Sequence, residues 1–431
     1  MAKGFIIAAP HSGSGKTTIT LGLLRALKNR GVATGPAKAG PDFIDPAFHT
    51  IAANSTCVNL DPWAMRPELV AQLANSQSLK GTLVVEAMMG LFDGAADGKG
   101  SAADLAQTLG LPIVLVVDTA KQSHSIAALV SGFREFRKEL KFAGVILNNV
   151  GSHRHEIMMR EALGEIGMNV IGALHRDQRL AMPSRHLGLI QAGELSDIES
   201  FIDYAAEVME KNIDLDFLLT QEITAPMAGG AGSIKPPGQH IAIAQDQAFA
   251  FIYPHLMAGW QEQGASLTFF SPLANERPDK RADFIYLPGG YPELHCEQLS
   301  ANFNFLEGMR EFVTKGVAIY GECGGYMVLG EALVDGNGKH HEMIGALPLV
   351  TSFEKRKLHL GYRKAVVNTD FSLGQKGTQF CAHEFHYSSI LYEENGEALF
   401  RIEDARGDKL GTCGLKRCNV AGSYMHVIDY R

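Results

Sequence analysis

The chain has 431 residues, of which 46% are hydrophobic and 20% charged, and its formal net charge is -8. That length exceeds one ordinary core, so two or three soluble globular domains are expected. The acidic balance argues against nucleic acid as the main partner. Six cysteines, at 57, 296, 323, 381, 413 and 418, contain no Cys-x-x-Cys pair and fit a reducing cytoplasm. The run from Phe5 to Pro10 is too short for a signal-peptide core, and no stretch approaches membrane-spanning length, so a cytoplasmic protein without a membrane partner is expected.

Residues 4–9, Gly-Phe-Ile-Ile-Ala-Ala, read as a buried first strand. Residues 10–18, Pro-His-Ser-Gly-Ser-Gly-Lys-Thr-Thr, follow, and then a helical pattern from about Ile19 to Lys28. Strand, small-residue loop, Lys-Thr and helix form a P-loop, although Pro10 stands where the first glycine of the motif belongs. In that arrangement backbone N–H groups from Ser12, Gly13, Ser14, Gly15 and Thr18 curl around phosphates. Lys16 reaches the terminal phosphates and Thr17 offers a hydroxyl to magnesium. Lys38 ends the next strand-like segment, and Asp42 and Asp45 follow in a turn-rich stretch, a carboxylate pair suited to magnesium or its waters. Taken alone, that stretch reads by default as an ordinary solvated turn with helix-capping aspartates. A third buried strand, 82–87, carries Glu86 at its polar end, the carboxyl end of a parallel strand where a nucleotide enzyme places its second magnesium contact, and Asp93 lies in the loop beyond it.

Further strands are expected at 112–118, 143–149 and 170–174, with helices near 125–137 and 155–166. This alternation implies a mostly parallel, doubly wound α/β sheet. A polar helical stretch, 192–208, closes that domain, assigned to residues 1–210. A Gly/Pro-rich linker covers 211–238, and a second domain covers 239–431. There the alternation restarts with strands at 240–244, 266–270 and 283–287. Residues 317–330, Val-Ala-Ile-Tyr-Gly-Glu-Cys-Gly-Gly-Tyr-Met-Val-Leu-Gly, then give an apolar strand, a glycine-flanked cysteine and an apolar helix. This is the cysteine form of a nucleophile elbow, and the helix N-terminus is expected to favour thiolate at Cys323. Backbone N–H groups of Gly324 and of Gly290 in the Pro-Gly-Gly-Tyr loop offer an oxyanion hole. His383, His386 and His426 are candidate bases. The Cys-x-His-x-x-His spacing at 381–386 lacks a fourth ligand for a metal, and Cys413 and Cys418 read as an ordinary strand or turn. Beyond residue 332 the pattern turns to shorter strands and loops.

A P-loop half and a cysteine-histidine half together pair phosphoryl transfer with acyl transfer. The motifs at 12–18, 38–46, 59–65, 86–94, 118–124, 148–152, 317–330 and 383–388 occur in one order along nearly the full length. By them the chain resembles the cobyrinic and hydrogenobyrinic acid a,c-diamide synthases, the glutamine-dependent amidotransferases of cobalamin biosynthesis. The resemblance implies a dethiobiotin-synthetase-like P-loop domain followed by a class I glutamine amidotransferase domain. It implies Cys323 as nucleophile, His426 as its base without the usual third acid, and a structural or interdomain role for His386. It also implies that Thr17, Asp45 and Glu86 hold magnesium. Lys38, Asp42, Asp45 and Asp93 would serve substrate or nucleotide, and Asn148 would lie near adenine. The substrates implied are ATP, glutamine and a tetrapyrrole, metal-free by the Asp-Pro-Trp-Ala-Met and Ala-Lys-Gln-Ser-His-Ser segments, in a chain that is a possible homodimer. The other readings are a different tetrapyrrole amidase, acting on cobyrinic acid or nickel-sirohydrochlorin, and a P-loop ATPase whose cysteine domain only binds.

Overall fold

A computed structural model describes residues 2–182, 184–185, 188–189, 197–225, 230, 232–394 and 396–431. The chain divides into two compact units, Met1–Trp63 with Pro67–Ala231, and Ala64–Arg66 with Gly232–Arg431.

The first unit is built on seven parallel strands: β1 Gly4–Ala8, β2 Thr34–Ala39, β3 Val58–Leu60, β4 Thr82–Glu86, β5 Ile113–Asp118, β6 Phe142–Val150 and β7 Val170–His175. Their spatial order is β3-β2-β4-β1-β5-β6-β7. Short unbroken apolar runs such as Phe5-Ile-Ile suit strands covered on both faces, and these three residues are fully buried. Because β1 lies between β4 and β5, the loop that follows it opens at the point where the winding reverses, the usual ligand crevice of such sheets. The helix Lys16–Asn29 starts after Gly15, whose φ of 91° is open to glycine at little cost. It ends at Gly31 (φ 74°), with Val32 N–H donating back to the Leu27 carbonyl. Its apolar face, Ile19, Leu23, Leu24 and Leu27, packs into the same core as Ile202, Ala206 and Met209 of the helix Ile198–Asn212. Each such side chain contributes roughly 1.5–3 kcal/mol when fully buried. Gly22 permits the close approach: a Cβ there would stand 2.8 Å from the Ala205 carbonyl oxygen, so Gly22→Val would force the helices apart.

The stretch expected as a linker starts inside this unit. Ile213, Leu215 and Leu218 join its core, and Ile223 N–H donates to the Ala2 carbonyl. Three aliphatic side chains within six residues bury where polar neighbours suggested a tether. Residues 226–229 and 231 of that stretch, and 192–196 of the polar helical stretch, lie outside the described residues.

The second unit carries a ten-stranded sheet in the order Ser266–Phe270, His240–Ala244, Phe284–Leu287, Ala318–Glu322, Val420–Ser423, Lys409–Arg417, Glu397–Asp404, His359–Val367, Gln379–His386 and Met425–Tyr430. The first five are mutually parallel and the rest antiparallel. Val420–Ser423 and Met425–Tyr430 are one run interrupted at Tyr424. The first piece pairs with Ala318–Glu322 and the second with Gln379–His386, so the antiparallel half curls back onto its own last strand. Where short strands and loops were expected after residue 332, strands of eight and nine residues stand at Gln379–His386 and His359–Val367. Among the described residues no helix is long and apolar enough to cross a membrane.

Candidate functional sites

In the second unit, register alone brings three chain segments to one sheet edge. Leu287 pairs with Gly321, Gly321 with Gly422, and Glu322 with Ser423. The next residues of these strands are the Pro-Gly-Gly loop, Cys323, and the turn that leads to His426. Cys323 adopts φ 47° and ψ -104°, a region that costs a side-chain-bearing residue about 1–3 kcal/mol. Hydrogen bonds hold it there, from Cys323 N–H to the Ser423 carbonyl at 2.8 Å and from Gly325 N–H to the Pro288 carbonyl at 3.0 Å. Gly325 admits the helix Gly324–Leu329 onto the sheet, since a Cβ on it would lie 1.9 Å from the Leu287 carbonyl oxygen.

Gly289 is wedged between the two reacting groups: a Cβ there would sit 2.4 Å from His426 Cε1 and 3.3 Å from Cys323 Cβ. The Gly290 amide nitrogen lies 3.1 Å from the corresponding position on Gly324, so the two N–H groups expected as an oxyanion hole are neighbours. The Cys323 thiol donates to the Phe385 carbonyl at 3.5 Å.

Cys323, His426 and Glu322 are each held in the neutral form. Burial, and next the Glu293 carboxylate, push the Cys323 thiol well up. Burial, with His383 and His386 nearby, lowers His426 to about 3. Burial raises Glu322 to about 8, while its Oε2 accepts from the Tyr286 hydroxyl at 2.7 Å and stands 3.8 Å from His426 Nδ1. The expected thiolate at a helix N-terminus is therefore corrected: the helix has only six residues, and burial outweighs its dipole. The pair rests as thiol and neutral imidazole.

His386 is engaged elsewhere. Its ring stacks on Tyr424 at 3.7 Å and on His359 at 4.6 Å, its Nδ1 lies 3.1 Å from the Ser388 carbonyl oxygen, and its Nε2 lies 3.1 Å from Glu384 Oε1. His383 faces His426 across the strand pair. Among the described residues His359, Glu384 and His386 bring ligand atoms within 4.8 Å of one another, but Arg363 already pairs with Glu384 at 2.7 Å. Cys413 lies in the strand Lys409–Arg417, and Cys418 is in the turn after it.

In the first unit, Lys38 and Ile7 both pair with Glu86 in the sheet register, so the ends of β2, β1 and β4 meet. Lys38 Nζ lies 2.5 Å from Asp45 Oδ2, 2.8 Å from Glu86 Oε1 and 3.8 Å from Asp42 Oδ2. The Thr17 hydroxyl donates to Glu86 Oε1 at 2.7 Å, and Lys16 Nζ donates to the Met89 carbonyl at 2.6 Å. Burial alone would raise Glu86, but Lys38 and His49 outweigh it and hold the carboxyl far down. Burial and Asp42 push Asp45 up to about 7 despite Lys38, whose own proton is held tightly. One buried ammonium does not compensate three carboxylates, and the surplus falls on Asp45.

Asp45 Oδ1 is buried with no hydrogen-bond partner among the described residues. An orphaned carboxylate oxygen beside Glu86 and a threonine hydroxyl fits a divalent cation. Asp42 also accepts from the Ile44 and Asp45 N–H groups, and Asp93 accepts from Gly90 N–H at 2.9 Å. Gly13, Gly15, Lys16, Thr17, Thr18 and Asn148 line part of a cavity of about 510 Å³. The exposed Ser12 and buried Ser14 stand in the same loop. Asn148 Nδ2 donates to the Ser14 carbonyl at 2.9 Å, so that donor is spent on the loop. Thr18 donates to the Leu180 carbonyl at 3.2 Å.

Three residues near these sites were not singled out in the sequence. His49 Nε2 lies 2.6 Å from Glu86 Oε2; four residues past Asp45, it shares a helix face with it, a spacing that was readable. Glu322 was readable as the nucleophile's neighbour. Gly289 was not, because its role is to be small beside a residue 137 positions later.

This pairing of a phosphate crevice with a strained cysteine defines a chain that joins a nucleotide-binding unit to a glutamine-amidotransferase unit. Comparison supports both assignments: residues 5–190 match the CobQ/CobB/MinD/ParA nucleotide binding domain, and residues 240–430 the CobB/CobQ-like glutamine amidotransferase domain. The chain is 57% identical over 435 aligned residues to a protein of Brucella anthropi named hydrogenobyrinate a,c-diamide synthase, with 99% of each chain covered. It is 56% identical over 428 residues to a Rhizobium meliloti protein of the same name, again covering 99% of each. A third protein of that name, from Mesorhizobium japonicum, is 48% identical over 433 residues, covering 99% of this chain and 98% of its own. The chain belongs to the hydrogenobyrinate a,c-diamide synthase family.

Proposed function

We propose that this chain converts the a and c side-chain carboxylates of hydrogenobyrinic acid to amides, drawing nitrogen from glutamine and driving force from ATP. The observation that carries the reading is the full-length identity to relatives bearing that name, in a chain whose Cys323 stands in a strained elbow beside His426. His426 takes the thiol proton as Cys323 attacks the glutamine amide carbon. The N–H groups of Gly290 and Gly324 receive the developing oxyanion. The amide nitrogen leaves as ammonia, with its proton returned by His426, and water then releases glutamate from the thioester. In the first unit the loop of residues 12–18 cradles the phosphates. Lys16 offsets charge on the transferring phosphoryl group, and a substrate carboxylate becomes an acyl phosphate that ammonia converts to amide.

Thr17, Asp45 and Glu86 would hold magnesium, which supplies charge neutralisation at the phosphates. Lys38, Asp42 and Asp93 serve the substrate or nucleotide ends, and Asn148 positions the loop through Ser14. Purified protein with glutamine, ATP and a panel of metal-free, cobalt-containing and nickel-containing tetrapyrroles tests this. The expected product is the diamide of the metal-free macrocycle. Preference for a metallated one, or ATP turnover without amide, would sink the reading.

A further inference from the structure

Glutamine differs from a simple primary amide by its α-ammonium and α-carboxylate, and the groups described so far handle only the amide end. Immediately after the Gly-Gly loop, residues Pro292–Leu294 form a single 3₁₀ turn. The turn lies against the elbow: a Cβ on Gly324 would stand 2.8 Å from the Pro292 ring. Glu293 in that turn is partly exposed as a residue, but its Oε2 is sealed from solvent and has no hydrogen-bond partner among the described residues. A buried, unpartnered carboxylate oxygen is costly, and the ordinary remedy is a hydrogen-bonding cation. Of the charges that act on the Cys323 thiol, Glu293 has the largest effect.

We propose that Glu293 receives the α-ammonium of glutamine, so that it selects an amino acid over other amides at Cys323. Burial pushes the Glu293 carboxyl up to about 7, as expected of an acid whose partner is the ligand itself. The inference rests on the proposed glutaminase role of Cys323.

The test uses the full chain and three probes. These are glutamine, 4-carbamoylbutanoate (which lacks only the ammonium), and the glutamine-shaped diazoketone 6-diazo-5-oxo-L-norleucine, with iodoacetamide as a shapeless control for the thiol. In Glu293→Gln the kcat/KM for glutamine should fall about 100-fold, mostly in KM, while that for 4-carbamoylbutanoate holds or rises. Labelling of Cys323 by the diazoketone should slow in step. Labelling by iodoacetamide should stay as fast or quicken, because a negative charge beside the thiol is gone. An unchanged glutamine to 4-carbamoylbutanoate ratio in Glu293→Gln overturns the inference. If that variant does not fold, less than 10-fold discrimination between the two amides by the parent chain overturns it. A parent chain that neither hydrolyses glutamine nor reacts with the diazoketone overturns the underlying reading and this inference with it. A parent that does both, beside an indifferent Glu293→Gln, overturns this inference alone.

Discussion

The two sites solve opposite electrostatic problems. In the first unit a buried ammonium lies within 4 Å of three carboxylates, one of which also meets a histidine, and charge stands there before any ligand arrives. In the second unit a thiol, an imidazole and a carboxyl are all buried and all held neutral. Phosphates and a metal ion are charged throughout their reaction, so a site for them gains from standing charges. A cysteine that attacks an amide needs charge only transiently. There burial keeps the nucleophile quiet until a substrate and a positioned base are present.

The largest break in this contrast should come from Cys323→Ser. Glutamine-driven amidation is expected to drop by about 10⁴-fold, while ammonium salts still drive amide formation at the nucleotide unit. Product formation with each nitrogen source checks this, and loss of both in a folded protein would mean that the two chemistries are not separable.

His426→Asn should slow glutamine hydrolysis by about 10³-fold, against less than about 10-fold for His386→Asn. The reason is geometric: His426 touches the Gly289 wedge beside Cys323, whereas His386 is spent on Tyr424, His359, Glu384 and Ser388. Glutaminase rates of the two variants decide it, and the reverse order would hand the base to His386.

Lys38→Met attacks the charged site through its stability. Removing the ammonium leaves Asp45 and Glu86 facing each other in the interior, at a cost of about 3–5 kcal/mol. Thermal unfolding in metal-free buffer should show the loss, and millimolar magnesium should return part of it. A variant as stable as the parent without metal would mean that the carboxylates relax by protonation at no cost.

Glu322→Gln sharpens the neutral side and has the smallest effect. Folding raises this carboxyl from 4.5 to about 8, so the native state binds the proton more tightly than the unfolded chain does. The sign follows: the contribution of this carboxyl to stability is fully present below about 4.5 and is lost as pH rises toward 8. Glutamine cannot ionise. The variant should therefore be close to the parent near pH 5 and more stable by at most about 4 kcal/mol near pH 9, with a flatter profile of unfolding temperature against pH. Parallel profiles for parent and variant would show that Glu322 ionises normally.

What could be read from the sequence was what is local. The P-loop, the elbow and the parallel strands are each specified within about fifteen residues, because turn glycines and short apolar runs act on their immediate neighbours. The antiparallel strands His359–Val367 and Gln379–His386 were expected to be shorter because they lack clean alternation. The first is mostly half-exposed, and histidine, lysine and arginine interrupt its apolar positions. The long-range pairings were out of reach for a different reason. Tyr286 with Glu322, or Arg25 with Glu199 and Asp203, join residues 36 and more than 170 positions apart, and nothing in either local pattern names the other.

Arg66 carries a consequence for how such a chain could have been assembled. It belongs to the second unit although the sequence around it belongs to the first, and it grips Asp429, whose side chain has no exposure. Three of its contacts to that carboxylate, from the backbone N–H, Nε and an Nη, are 2.9 Å long. The second unit is therefore not one contiguous stretch of gene. A fragment cut at residue 232 would leave Asp429 interred without its guanidinium. Modularity here is interrupted by a three-residue loan, and separating the halves into two polypeptides would require a new partner for one buried carboxylate.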